Sequence, residues 1–137
     1  MAGNPRSFRF DPALLERLTE QARRRGTTVS ALVERYADEG SRAEDHPLIV
    51  FRDGEAGRRP TLVGTRLEVW RIIETLRLSG NSTAATAEYF DIPESHVLTA
   101  LRYYADFQEE VDDIRERELA FAAREEEAWR RAQAALG

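Results

Sequence analysis

Arg6-Ser7-Phe8-Arg9-Phe10-Asp11-Pro12 decides how the fold is read. Residues 7–10 alternate polar and apolar, the period of a half-buried strand. Asp11 then offers an N-cap and Pro12 suits a first helical position. Leu14, Leu15, Leu18 and Ala22 continue at helical spacing, and Gly26 stops the helix behind Arg23-Arg24-Arg25, cations that suit a helix C-terminus. Thr28 caps a second helix whose stripe is Val29, Leu32, Val33 and Tyr36, and Gly40 is expected to end it. A single strand cannot satisfy its own ladder hydrogen bonds. A segment this short also buries too little surface to stand alone. Two copies that pair their strands into an antiparallel ribbon and interlock their helices solve both problems.

That arrangement, with Phe8-Arg9-Phe10-Asp11-Pro12, Arg25-Gly26-Thr27-Thr28-Val29-Ser30 and Ala31-Leu32-Val33, resembles the ribbon-helix-helix family. Residues 1–42 are therefore read as a DNA-binding and dimerisation segment. In such a dimer the paired strands enter the major groove. Phe8 and Phe10 face the core, so Ser7 and Arg9 face outward, and an Arg there can donate two parallel bonds to guanine O6 and N7. Thr28 and Ser30 open the second helix, whose unpaired N–H groups suit a backbone phosphate. Arg6 and Arg25 can add phosphate contacts. The candidate DNA-binding set is Arg6, Ser7, Arg9, Thr28 and Ser30.

Residues 46–111 read as a second domain. His46-Pro47-Leu48-Ile49-Val50-Phe51 and Thr61-Leu62-Val63-Gly64-Thr65-Arg66 are β-prone runs that suit a hairpin around the turn-rich stretch 53–60. Val69, Ile72, Ile73 and Leu76 mark a helix ended by Gly80-Asn81, and Ser82 or Thr83 caps the next. Residues 83–104 then read as helix-turn-helix around Phe90-Asp91-Ile92-Pro93, with Ile92, Val97 and Leu101 between the helices. His46-Pro47, Arg59-Pro60, Gly64-Thr65-Arg66, Val69-Trp70 and Ala100-Leu101-Arg102-Tyr103-Tyr104-Ala105-Asp106 resemble the bacterial family catalogued as domain of unknown function 433. The resemblance implies a compact winged-helix-like domain found in antitoxins beside toxins of the PIN ribonuclease class. Joined to the N-terminal segment, it resembles the VapB-type antitoxin plan. Glu94 and Asp91 oppose phosphate, so this inner helix-turn-helix reads better as a protein-interaction element, unless Arg58, Arg59 and Arg66 supply charge from the wing.

Residues 112–137 are rich in Glu, Arg and Ala and are predicted helical by propensity. Val111, Ile114, Leu119, Phe121, Trp129 and Leu136 make no continuous stripe. Such a helix can be solvated, pair with its symmetry mate or order on a partner. Phe121 and Trp129, eight positions apart, can share one face, and Arg124 or Arg130 beside them can pair with a nuclease's carboxylates. Phe121, Arg124, Trp129 and Arg130 form the candidate toxin-binding set.

Composition narrows the classes. The 137 residues are 42% hydrophobic, with no cysteine for a disulfide or thiolate metal site. No apolar run approaches the roughly 20 residues that span a bilayer, and no secretory signal opens the chain, which suggests a cytoplasmic protein. The net charge is −5, yet residues 1–25 hold six Arg against three acids, while residues 107–137 hold five against nine. His46 and His96 are the only histidines, and no phosphate-cradling loop or catalytic motif is evident. Asp112-Asp113 and Glu125-Glu126-Glu127 read as solvated runs. The expectation is a mostly α-helical protein: a ribbon-helix-helix segment, a small winged-helix-like helix-turn-helix domain and a C-terminal helix. It is expected to be no enzyme and to use no cofactor or metal. The expected partners are operator DNA, a PIN-type ribonuclease toxin, and its own copies in a homodimer or higher even-numbered oligomer, with no membrane. A stand-alone regulator and a protein-interaction scaffold are the alternatives.

Overall fold

Asp11 starts the first helix as its side chain suggests: Oδ2 accepts a hydrogen bond from the Ala13 N–H at 3.1 Å. In the computed structural model, which describes residues 3, 5–54 and 57–137, this helix is α1, Pro12–Arg25. It ends at Gly26, whose φ of +64° is left-handed and whose N–H turns back to Ala22 and Arg23 carbonyls. Thr28 Oγ1 accepts from the Ala31 N–H at 3.1 Å and caps α2, Val29–Asp45. Gly40 does not stop α2, contrary to the sequence reading. A helical glycine costs only about 1 kcal/mol relative to alanine, and Ser41 to Glu44 carry the helix on. It ends just before His46-Pro47, because a residue that precedes proline avoids the α conformation.

The chain divides into two compact units, Met1–Arg42 and Ala43–Gly137. In the first, Leu18, Ala22 and Leu32 are buried, with Leu14, Val29 and Val33 packed around them. Phe8, Phe10, Leu15 and Tyr36 stay exposed.

The second unit opens with an antiparallel hairpin, β1 (Ile49–Gly54) and β2 (Gly57–Leu62), in the register Phe51↔Pro60 and Asp53↔Arg58. Its strands reach further into the turn-rich stretch than expected, and Glu55 and Ala56 of that stretch lie outside the described residues. Pro60 is tolerated because a two-stranded sheet has free edges. Thr65 shapes the exit: its hydroxyl donates to the Leu62 carbonyl at 2.7 Å and accepts from the Leu67 N–H at 2.9 Å. Three helices follow, α3 (Val69–Leu78), α4 (Thr83–Phe90) and α5 (Glu94–Asp106). Ser82 caps α4 through the Ala85 N–H at 3.0 Å. Asp91, at φ +54°, ends it. The hairpin precedes the helices, with β1 against α5 and β2 against α3. The core joins Ile49, Val69, Ile72, Ile73, Val97, Ala100 and Tyr103. On α5 the buried positions are Val97, Ala100 and Tyr103, so Leu101 faces outward rather than filling the space between the helices.

After the single break at Phe107, α6 runs unbroken over Gln108–Ala135. It crosses the boundary drawn at 111/112, because Val111 and Ile114 are buried in this unit. Arg59 fastens it. This β2 side chain is only 7% exposed, and it donates to Glu68 Oε1 at 2.9 Å and to Glu118 Oε1 at 2.5 Å. It passes over Gly54, where an added Cβ would sit 2.7 Å from Arg59 Cγ. Truncation of Arg59 strands both carboxylates. Arg59→Ala should therefore cost about 2–3 kcal/mol, the scale of lost hydrogen bonds to charged groups, in urea unfolding of the full chain. An unchanged midpoint would show that the clasp contributes nothing.

Candidate functional site

The DNA-facing candidates divide into two groups in the N-terminal unit. Arg6, Ser7 and Arg9 sit in residues 5–10, which form neither helix nor strand and are exposed throughout. The strand expected over residues 7–10 is not formed: these residues pair with no strand among the described residues. Phe8 and Phe10 accordingly lack the core they were expected to face: Phe8 is 74% exposed. Thr28 and Ser30 are exposed at the start of α2, and Thr28 already serves as its cap. Around them the surface is cationic but partly neutralised, since Arg23 and Arg24 both pair with Glu20.

The candidate cations of the second unit are mostly engaged. Arg59 belongs to the clasp. Arg58 donates to Asp53 Oδ1 at 2.8 Å and to the Phe51 carbonyl at 2.9 Å. Only Arg66 of the three lies exposed. On the helix-turn-helix, Glu94 accepts from the Thr83 hydroxyl at 2.6 Å, which ties the start of α5 to the start of α4. His46 is buried: its Nε2 lies 2.8 Å from Asp106 Oδ2, and its ring meets Tyr103 edge-on. That is a packing and hydrogen-bonding role. Among the described residues no group of three His, Cys, Asp or Glu side chains is placed to hold a metal ion, and no helix is long and apolar enough to cross a membrane.

The toxin-facing candidates all lie on α6 beyond its anchored part. Phe121, Arg124, Trp129 and Arg130 are exposed. Arg130 donates to Glu126 Oε1 at 2.6 Å, whereas Arg124 makes no ion pair among the described residues. Of the two acidic runs, Asp112 accepts from the Tyr104 hydroxyl at 3.0 Å, Asp113 pairs with Arg117 and Glu126 pairs with Arg130, while Glu125 and Glu127 are exposed.

Sequence reasoning missed what holds the root of α6. Arg59 to Glu118 and Arg115 to Glu74 join residues far apart in the chain. The only local signal was Arg59 beside a proline in the turn-rich stretch.

Residues 49–104 match the model of a family described as a protein of unknown function (DUF433). The match begins with β1 and closes at Tyr104 in α5, so the N-terminal unit and α6 lie outside it. Gly64-Thr65-Arg66 and Ala100 to Tyr104 fall within it. No curated protein and no solved structure matches the chain.

The Arg115–Glu74 pair makes the anchoring of α6 pH-dependent. The hydrogen bond from Arg115 holds the Glu74 carboxyl below its ordinary value of 4.5, and its partial burial opposes that shift. A carboxyl depressed in the folded state contributes stability above its unfolded pKa and loses it as pH falls through the folded value. The gap in thermal stability between wild type and Glu74→Gln should thus be full at neutral pH and close as pH drops below the ordinary carboxylate range. A gap that is constant with pH would show that the pair does not act through ionisation.

Proposed function

We propose that this chain is a dimeric DNA-binding repressor that also serves as the antitoxin of a PIN-type ribonuclease. In this reading two copies pair residues 6–10 into an antiparallel ribbon, with Arg9 and Ser7 toward the major groove and Arg6, Thr28 and Ser30 at the phosphates. The toxin docks on the C-terminal half of α6. The observation that carries the reading is the exposed Phe8-Arg9-Phe10 alternation, without a ladder partner, ahead of two helices that bury only Leu18, Ala22 and Leu32 fully. A second copy supplies the missing strand and covers Phe8, Phe10 and Leu15 together. The match over residues 49–104 is compatible with this plan and names no activity.

The inner helix-turn-helix is a protein-facing or scaffolding element in this reading. What favours that role is the engagement of Arg58 and Arg59 by carboxylates, which leaves only Arg66 of the three exposed to offset Glu94 and Asp91.

Two measurements test the proposal. Sedimentation of the full chain should give a dimer, and Phe10→Ser with Leu15→Ser should shift it to monomer. A wild-type monomer at micromolar concentration sinks the ribbon. In a gel shift with DNA from the chain's own promoter, Arg9→Ala should weaken specific binding by about 1–3 kcal/mol per good base contact and leave circular dichroism unchanged. Equal loss on operator and random DNA would instead make Arg9 a phosphate contact.

A further inference from the structure

A two-stranded sheet has two edges, and this hairpin closes them by different means. The pairing decides which groups each edge presents. The Val63 N–H donates to the Leu48 carbonyl at 2.8 Å. In the register of the hairpin, the directly bonded pairs are therefore Leu48–Val63, Val50–Thr61 and Arg52–Arg59. Ile49, Phe51 and Asp53 alternate with them, so their N–H and C=O groups point away from β2, along the outer edge of β1.

The chain itself closes the outer edge of β2. The Leu62 N–H donates to the Leu67 carbonyl at 2.9 Å, Thr61 bridges Glu68, and Pro60 has no N–H to offer. Beside β1 there is no third strand among the described residues. Its start is tied down, since the Ile49 N–H donates to the His46 carbonyl at 3.0 Å. Its middle is covered by a side chain. Arg58 stands opposite Asp53 and reaches across β1, donating to Asp53 Oδ1 at 2.8 Å and to the outward Phe51 carbonyl at 2.9 Å. Its side chain is only 25% exposed, although that of Asp53 is 69% exposed, so it lies along the strand instead of extending into water.

An open strand edge is a template for another strand, and β1 fits a second β1. Set antiparallel about a two-fold axis at Phe51, two copies place Phe51 against Phe51, Ile49 against Asp53 and Val50 against Arg52. No like charges oppose each other. An axis at Arg52 instead sets Arg52 against Arg52, which is unfavourable. In the first register, the two central hydrogen bonds run from the Phe51 N–H of each copy to the Phe51 carbonyl of the other. That carbonyl is the acceptor that Arg58 occupies.

We propose that Arg58 guards the outer edge of β1, and that without it this edge pairs with β1 of a second copy. None of the residues assigned above to DNA or toxin takes part.

Sedimentation of the full chain tests the guard. Arg58→Met keeps an apolar stem but donates nothing, and Arg58→Ala removes the stem as well. Each should raise the assembly mass at least about twofold over wild type at equal concentration, because every copy then offers a pairing edge. Asp53→Pro added to either variant should restore the wild-type mass. The Asp53 N–H points outward, so a proline there removes a donor to the second copy and spares the bonds to β2. Circular dichroism of Arg58→Met should match wild type. Wild-type mass in both Arg58 variants overturns the guard. So does added mass that Asp53→Pro fails to reverse, because that assembly runs through another surface. Loss of the folded spectrum in both Arg58 variants overturns it too, and makes Arg58 a requirement of the hairpin's own fold.

Discussion

A guanidinium buried away from water must find carboxylates, and the second unit is arranged around that requirement at Arg59. Its two ion pairs reach Glu68, where α3 begins, and Glu118, three turns into α6. Three elements distant in sequence are thus tied to one planar group with fixed donor directions. The strand opposite has to leave room, and Gly54 does so by lacking a side chain where Arg59 passes. The hydrophobic core beneath is continuous from Ile49 to Val111, but apolar packing is non-directional. The clasp adds direction: it fixes where α6 leaves the domain.

The N-terminal unit obeys a different constraint, the small area that two short helices can bury. A core of Leu18, Ala22 and Leu32 is far less than an independent domain of this size needs. Local chemistry nevertheless specifies the helices firmly, through Asp11, Gly26 and Thr28. A segment with definite helices and an incomplete core is suited to completion by association.

What the sequence made legible follows from range. Caps and stops act over three or four residues, so Asp11, Gly26 and Thr28 could be read directly, and Ser82 as one of two adjacent candidates, as could the hairpin and the helical face of Val69, Ile72, Ile73 and Leu76. Gly40 misled because propensity is a weak term that neighbouring helix formers override. Leu101 misled because α5 offers an apolar residue on two adjacent faces, and only packing decides that Ala100 turns inward. The pairs Arg59–Glu118 and Arg115–Glu74 left no local trace, since any exposed Arg or Glu looks alike in sequence. On α6, Glu118 and Glu125 interrupt the apolar residues at the centre of the side that Val111 and Ile114 bury, so no continuous stripe could be read there. The residues proposed to meet DNA or toxin are all exposed.

The unbroken run of α6 from its buried root to its exposed end has a consequence for how such a sequence can drift. Substitutions beyond Ile114 leave the direction of the later side chains intact. Insertion or deletion of a single residue between Ile114 and Phe121 would swing everything downstream by about 100° around the axis, carrying Trp129 off the side it now occupies. Changes of three or four residues nearly restore the phase and shift the end along the axis by about 5–6 Å. Length in that short stretch therefore sets the direction of the exposed end, whereas its composition does not.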